Sequence, residues 1–380
     1  MTPRDQIAKQ AAQGLRTFSD RMTQTPVLVG FDGFVDSIIQ VVDQRRDPDH
    51  YDAIPTITRF GEKIAAAADQ SPNFELVPTL QKLGGNGPIM ANAFATAGLP
   101  VTYIGNVGSP SLHPAFEDFA KVAKVHSIAE PGYTDALEFQ DGKLMLGKYT
   151  AISQVNQQTI DQHIGRDAYV QLVSQAKLIG MVNWTMLSKL NTIWEALIDE
   201  VLPASGNAKA YVFIDLADPA KRSREDIAQA MGLASKLAKH ARVVMGFNLS
   251  ESSQIADVIG VNIAGDPEAA IETTAIAMCQ ALGVHGVVVH PRRGAAGAIQ
   301  TDQGIVSATF AGPFVEKPKL STGAGDNFNA GFCLGLLAGL SLEQCLCTGA
   351  ATSGFYVRQA HSPSLAQLAS FCEDLPQAQL

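Results

Sequence analysis

Short apolar segments alternate with longer segments of helical periodicity along most of the chain. Apolar runs of strand length lie at residues 26–31, 101–105, 177–182, 211–214, 243–247 and 284–290. Helical periodicity is found at residues 1–20, 58–70, 89–97, 186–200, 224–239, 250–259 and 342–358. Repeated strand-then-helix units of this length predict a mostly parallel central sheet covered by helices on both faces, which is a doubly wound three-layer α/β/α sandwich.

Further segments with strand character are residues 34–42, 74–77, 133–139, 143–149 and 311–320. Of these, the half-polar segment 34–42 and the pair 133–139 and 143–149 do not fit a buried parallel sheet. Asp141-Gly142 is typical of a type I′ turn and predicts a hairpin. We predict one domain over residues 1–380, with a small β-sheet lid formed by inserted segments at about 34–44 and 130–152.

Composition and charge argue against several classes of protein. The net charge is −9 with no basic run, so the electrostatic footprint of a nucleic-acid-binding protein is missing. No apolar stretch reaches membrane-spanning length, and the N-terminus has no signal-peptide core. The five cysteines are an odd number and lie mostly in helical, apolar segments, which is typical of reduced thiols. We therefore expect a cytoplasmic protein with no membrane or nucleic-acid partner.

The most informative stretch reads Ser-Thr-Gly-Ala-Gly-Asp at residues 321–326 and opens a helix of small residues. Glycines at such a junction leave backbone N–H groups unpaired at the helix N-terminus, which is a preformed anion site. Phosphoryl transfer to an alcohol needs a carboxylate beside such a site, because the acid takes the hydroxyl proton. Asp326 has this position. The structural alternative is an Asp in an ordinary glycine-containing turn.

Two further segments have both a chemical and a structural interpretation. Asp32 and Asp36 follow the first predicted strand, where carboxylates accept hydrogen bonds from the hydroxyls of a polyol, or are simply solvated loop acids. Residues 84–87 read Gly-Gly-Asn-Gly. The glycines allow a ligand to approach the backbone and Asn86 offers a donor and an acceptor, or the segment is a tight entry into the next helix.

Two more segments follow later strands. Asn248 and Glu251 either hold Mg²⁺ through water beside phosphates or form a plain helix capping box. Residues 292–297 read Arg-Arg-Gly-Ala-Ala-Gly. Arginines on such a turn either bind nucleotide phosphates or face water on a hairpin.

Taken together, these motifs resemble those of the ribokinase-like (PfkB-type) carbohydrate kinase family, from about residue 26 to about residue 363. Residues 321–332 resemble its C-terminal signature, which is highly specific. Residues 83–86 with 103–108 resemble its N-terminal signature, and residues 248–251 match its Asn-x-x-Glu motif.

The resemblance implies a role for each motif. Asp326 is expected to be the catalytic base, with the backbone of Gly323, Ala324 and Gly325 as the anion hole. The residues expected to bind the sugar are Asp32, Asp36, Gly85 and Asn86. The residues expected on the side of ATP are Thr322, Asn248, Glu251, Arg292, Gly294 and Gly297, with Asn248 and Glu251 organising Mg²⁺. In several members the lid also forms the dimer contact, so a homodimer through the lid is one expectation.

Three positions depart from the family pattern. Leu320 replaces an Asp that helps to hold a monovalent cation, so the resemblance does not extend to potassium activation. Ile89 stands where an Asn often contacts the sugar, and Arg292 aligns with a Thr. An arginine there suits a phosphate of the nucleotide or of a phosphorylated sugar. None of these three changes removes Asp326 or the anion hole.

The sequence therefore predicts an ATP-dependent kinase that phosphorylates a hydroxyl of a sugar or sugar-like substrate. Two alternatives stay open. A nucleoside kinase on the same fold would stack a lid aromatic such as Phe34, Tyr133 or Phe139 on the base. A catalytically idle sugar-binding or regulatory protein would keep the fold without the reaction.

Overall fold

Fourteen strands and fourteen helices make up the computed structural model, which describes residues 2–378. The strands are β1 (Val27–Phe31), β2 (Phe34–Arg45), β3 (Tyr51–Ala53), β4 (Leu76–Gly84), β5 (Val101–Gly105), β6 (Lys124–Ser127), β7 (Gly132–Phe139), β8 (Gly142–Lys148), β9 (Leu178–Val182), β10 (Tyr211–Asp215), β11 (Arg242–Phe247), β12 (Gly286–Val289), β13 (Gly294–Thr301) and β14 (Gly304–Ala311). The helices are α1 (Pro3–Phe18), α2 (Ile57–Ala66), α3 (Asn86–Ala97), α4 (Glu117–Val122), α5 (Gln157–His163), α6 (Arg166–Gln175), α7 (Leu190–Ala196), α8 (Leu202–Ser205), α9 (Arg224–Leu237), α10 (Leu249–Val258), α11 (Ile271–Leu282), α12 (Ala324–Ala338), α13 (Leu342–Gln359) and α14 (Leu365–Glu373). Three terminal residues of the predicted 1–380 domain lie outside the described residues.

The main sheet has nine strands in the order β14-β13-β12-β11-β10-β9-β1-β5-β6. All neighbours from β12 to β6 are parallel, and β13 and β14 extend the sheet as an antiparallel pair. Helices cover both faces: one core cluster contains Leu15, Phe94 and Phe332, and the other contains Trp194 and Met231. The predicted doubly wound α/β/α sandwich is confirmed. No helix among the described residues is long and apolar enough to cross a membrane.

The small sheet is centred on β2, which pairs with β7 in parallel and with β4 and β3 in antiparallel orientation. β8 completes it through the hairpin with β7, as the Asp141-Gly142 turn predicts. The sequence identified only residues 74–77 of the β4 region as strand-like. The strand actually runs over Leu76–Gly84 and is mostly exposed, so it lacks the apolar alternation that would have marked it.

Three boundary predictions were wrong. Residues 312–320 contain no strand, because β14 ends at Ala311 and the following Pro313 and Pro318 have no N–H to donate to a ladder. Residues 294–297 belong to β13 rather than to a turn. The single helix predicted at 186–200 is instead α7, a wide π-type turn at Leu197–Val201 and then α8.

Helices α12 and α13 pack closely because small residues lie at their contact. A Cβ atom added to Gly331 would come within 2.5 Å of the Thr348 carbonyl oxygen, and one added to Gly335 within 2.9 Å of the Cα of Cys345. Real side chains do not approach a backbone so closely, so only glycine permits this helix spacing. This packing fixes the position of the N-terminus of α12.

We expect Gly331→Ala to lower the free energy of unfolding by about 2 kcal/mol, because overpacking forces the two helices apart. Gly232→Ala is the matched control, since Gly232 lies in α9 with nothing within 4 Å of its added Cβ. That change should stabilise the protein by about 0.5–1 kcal/mol through helix propensity. Urea unfolding of both variants measures the difference, and equal effects would contradict the packing argument.

Candidate active site

The first turn of α12 leaves backbone N–H groups available to a ligand. Gly323 precedes the helix with a φ of 88°, a left-handed conformation that favours glycine. The N–H groups of Gly325 and Asp326 have no hydrogen-bond acceptor within residues 2–378. Tyr356 holds the preceding loop by donating to the Thr322 carbonyl at 2.8 Å. Unpaired N–H groups and the helix dipole together make this end of α12 suited to a phosphate.

Asp326 lies in this turn with only 6% of its surface exposed. The Asn86 side-chain amide donates to its Oδ1 at 2.8 Å. Burial, followed by the nearby charge of Asp215, raises the pKa of Asp326 well above the ordinary value. A carboxylate with a raised pKa binds a proton more tightly, which is the property a general base needs.

Asp32 fastens the turn that carries Asn86. Its two oxygens accept the backbone N–H of Asn86 at 3.0 Å and of Gly87 at 2.7 Å, and the Asn183 side-chain amide at 2.7 Å. The side chain is fully buried, and burial raises its pKa to about 6. Asp32 therefore positions the Asn86 turn. It does not line the cavity that contains Asp326.

Asp36 lies on lid strand β2, where it is partly exposed. A Cβ on Gly84 would lie 2.5 Å from its Oδ2, so the close approach of β4 requires glycine there. Burial raises the pKa of Asp36, while Lys82 and a hydrogen bond with Thr134 oppose the rise. Of the two predicted sugar-binding acids, Asp36 is the one that keeps solvent contact.

Asn248 and Glu251 form the capping box that the sequence allowed. Asn248 Oδ1 accepts the Glu251 N–H at 2.9 Å, and Glu251 Oε2 accepts the Asn248 N–H at 2.8 Å. Glu251 also accepts the Asp218 N–H at 3.1 Å. Both residues line the cavity beside Asp326, so the cap and a role in the site are compatible.

Asp215 is a site residue that the sequence analysis missed. It ends β10, accepts the Ala217 N–H at 2.8 Å and the Asn329 amide at 2.6 Å, and lines the same cavity. Burial and then the charge of Glu251 raise its pKa to about 7. The available signal was a carboxylate directly after a predicted strand, as at Asp32.

One cavity of about 480 Å³ joins these elements. The predicted residues that line it are Asn86, Asn248, Glu251, Arg292, Gly294, Gly323, Ala324, Gly325 and Asp326. The predicted residues outside its lining are Asp32, Asp36, Gly85, Gly297 and Thr322. Gly297 lies within β13, where an added Cβ would be 3.1 Å from Leu342.

Arg292 and several apolar residues, among them Phe314 and Val315, also line the cavity. Arg292 and Arg293 lie over the Phe314 ring at 5.7 and 4.8 Å from its centroid. His290, another residue that the sequence did not reveal, stacks on Phe328 with ring centroids 4.5 Å apart. Residues 2–378 contain no group of three or more His, Cys, Asp or Glu side chains arranged to hold a metal ion.

The model of the prokaryotic ketohexokinase family matches residues 3–375. The chain belongs to this family. It is 28% identical to a ketohexokinase of Haloferax volcanii over 375 residues, which covers 97% of this chain and 96% of the relative. A carbohydrate kinase is therefore the class of enzyme, and the predicted PfkB-type resemblance is confirmed.

Solved structures share the fold of this ketohexokinase-family chain at low identity. Arabidopsis thaliana ribokinase, complexed with ribose and ATP, has a TM-score of 0.63 at 16% identity and covers 93% of this chain and 99% of its own. Adenosine kinase of Sinorhizobium meliloti has a TM-score of 0.61 at 16% identity, with the same two coverages. These likenesses establish the ribokinase-like fold.

In this family member we expect the buried charge of Asp215 to make stability depend on pH. The folded-state pKa of about 7 lies above the ordinary 3.8, so ionisation of Asp215 costs stability. The cost is absent below pH of about 4 and grows as the pH rises towards about 7. Asp215→Asn should therefore stabilise the protein more at pH 8 than at pH 5, by roughly 2 kcal/mol.

Thermal unfolding of Asp215→Asn and native protein at both pH values measures this difference. The new amide has an acceptor available, since Asn329 Oδ1 has no partner in the described part of the chain. A gap in melting temperature that stays constant with pH would show that Asp215 titrates normally.

Proposed function

We propose that the protein transfers the γ-phosphoryl group of ATP to a hydroxyl of a ketohexose. The observation that carries the proposal is the buried Asp326 carboxylate, with its raised pKa, beside the unpaired N–H groups of Gly325 and itself. The ketohexose is suggested by the family and by the name of the Haloferax volcanii relative. ATP is supported by the cavity that continues from Asp326 to Arg292.

Asp326 accepts the proton of the attacking hydroxyl while the amide N–H groups at the start of α12 stabilise charge on the moving phosphoryl group. Asn86 orients the carboxylate through its 2.8 Å hydrogen bond, and Asp32 holds Asn86 through the backbone. Within residues 2–378, Asp326 forms no ion pair with a basic side chain, so no paired positive charge weakens it as a base.

The sugar is held between the Asn86 turn and the lid. Asp36 accepts hydrogen bonds from its hydroxyls, and the backbone of Gly85 lies against the sugar. Glycine is also needed at residue 85 for packing, because an added Cβ there would meet the Asp32 carboxylate at 2.8 Å. Asp36 lies on β2 and the Asn86 turn follows β4, so both contacts belong to the paired lid strands. Closure of such a lid excludes water, which would otherwise accept the phosphoryl group.

The charged and polar groups that line the cavity suit Mg²⁺-ATP. Arg292 and the N-terminus of α12 suit phosphate oxygens. Burial raises the pKa of Asp215 and of Asp326, with smaller contributions from the charge of Glu251 at Asp215 and from the charge of Asp215 at Asp326, and a bound cation would favour the ionised form of both carboxylates. Asn248 and Glu251 would hold Mg²⁺ through water, and the ion would neutralise phosphate charge. The adenine would lie between residues 312–318 and α13, against Pro313 and Val357.

Asp326→Asn tests the base directly. We expect kcat to fall by about 10²–10⁴-fold, because the amide cannot accept the proton, while the melting temperature stays equal or rises as a buried charge is removed. ADP production is measured with ketohexoses, aldoses, sugar phosphates and nucleosides as acceptors. Asp302→Asn, at the exposed turn after β13, is the matched control. The ketohexose proposal would be wrong if the native protein phosphorylated only nucleosides, or if it phosphorylated none of the acceptors.

Substitutions of Asp32 and of Asp36 should change different properties of the enzyme. Asp36→Asn should raise KM for the ketohexose at least about 10-fold, because it removes acceptors for substrate hydroxyls. Asp32→Asn should instead lower kcat and cost about 1–3 kcal/mol of stability, since its amide group would face an N–H donor that the carboxylate now accepts. Steady-state kinetics with urea unfolding resolves the pair. An Asp32 variant changed only in KM would assign it to the sugar.

A further inference from the structure

A second cavity lies at the opposite edge of the main sheet from the active site. It has a volume of about 250 Å³ and is lined by Arg21, Thr25, Lys177, Lys209, Tyr211, Leu336 and Leu337. Lys177 and Lys209 come just before β9 and β10, and Thr25 just before β1. Because these strands are parallel and adjacent, their amino ends form one wall, whereas Asp326 lies at the carboxyl edge.

Backbone hydrogen bonds set the basic residues side by side along this edge. The Lys177 N–H donates to the Pro26 carbonyl at 2.8 Å, and the Tyr211 N–H donates to the Lys177 carbonyl at 3.0 Å. The Arg242 N–H continues the series to the Ala210 carbonyl at 3.0 Å, and its guanidinium lies 5.5 Å from the centre of the Tyr211 ring. Three cations, those of Arg21, Lys177 and Lys209, thus line the cavity together with the half-buried Tyr211, and a fourth, that of Arg242, lies over the Tyr211 ring without lining the cavity.

None of these four cations forms an ion pair with a carboxylate among residues 2–378. By contrast, many basic side chains elsewhere are paired, and the whole chain carries a net charge of −9. A concave cluster of unpaired positive charge on an acidic protein raises the local concentration of anions. The apolar side chains of Leu336 and Leu337 add surface for a non-ionic part of a ligand.

A structural role accounts for only part of the cluster. Arg21 donates to the Ala338 carbonyl at 2.6 Å, and cations near the carboxyl end of α12 are favoured by the helix dipole. Lys177 and Lys209 make no such bond among the described residues, and they lie on the sheet edge rather than on the helix.

We propose that this cavity binds a small phosphate-bearing anion outside the active site. The chemistry, several cations beside a Tyr ring and leucines, suits a phosphate ester of a sugar or a nucleotide, and free phosphate shares its anionic part. The ligand would touch Leu336 and Leu337 in the last turn of α12, the helix whose first turn holds Asp326, so about 16 Å of one rigid element separates the two sites.

Equilibrium dialysis of the full chain with inorganic phosphate, ADP and a ketohexose monophosphate, each used separately, tests the proposal. At least one probe should show a second bound equivalent per chain beyond the active-site equivalent. The double variant Lys177→Gln/Lys209→Gln should weaken that second equivalent at least about 10-fold and leave the first unchanged. Lys9→Gln/Lys236→Gln removes the same charge from two exposed lysines outside the cavity and should keep both equivalents.

The pattern among the probes identifies the ligand. If only ADP binds at the second cavity, the ligand is a nucleotide. If only the ketohexose monophosphate binds, the ligand is a phosphorylated sugar. If all three probes bind, the cavity recognises the phosphate group itself. Amide hydrogen exchange of the native protein gives an independent measure, since the bound probe should slow exchange in residues 335–340. A single equivalent for every probe, or a second equivalent that survives in Lys177→Gln/Lys209→Gln, would overturn the proposal.

Discussion

The site depends on burying negative charge without pairing it to positive charge. Asp32, Asp215 and Asp326 are each less than a tenth exposed. Each is met by a side-chain amide, from Asn183, Asn329 and Asn86 respectively. An amide satisfies the oxygens but stabilises the ionised form less than a lysine or arginine would, so all three pKa values rise. A salt bridge at Asp326 would have lowered its pKa and made it less suited to the proposed role of a base.

The fold provides this arrangement by bringing strand ends and helix starts to one edge. Asp32 follows β1 and Asp215 ends β10, while Asp326 lies in the first turn of α12. The position of α12 depends on its contact with α13, where glycine allows backbone to approach backbone. Packing that is remote from the substrate therefore decides where the N–H groups of the anion site point. A methyl group added at Gly331 would therefore strain α12 and change the position of Asp326, the proposed base.

The sequence predicted the alternating framework well because buried parallel strands are continuous apolar runs, which are easy to recognise. It also placed Asn248 and Glu251 at the carboxyl end of a parallel strand, where ligands gather, and the family resemblance grouped them with Asp326. It did not find β4, an exposed lid strand whose residues carry no apolar pattern. Nor did it separate Asp32 from Asp36. Their difference arises from Asn183, which is 151 residues away along the chain from Asp32.

The strands of the small sheet, which forms the proposed lid, continue directly along the chain into the residues that position Asp326, the proposed base. β2 begins two residues after Asp32, and β4 ends two residues before Asn86. These two strands pair over their length, from Phe34 with Gly84 to Val41 with Leu76. A shift of the small sheet relative to the main sheet must therefore act on the Asp32–Asn86 hydrogen bond, and through Asn86 on the carboxylate of Asp326. In the proposed mechanism, a sugar that closes the lid would align Asp326 in the same movement, whereas a water molecule is too small to contact Asp36 and the Asn86 turn together and would leave Asp326 misaligned.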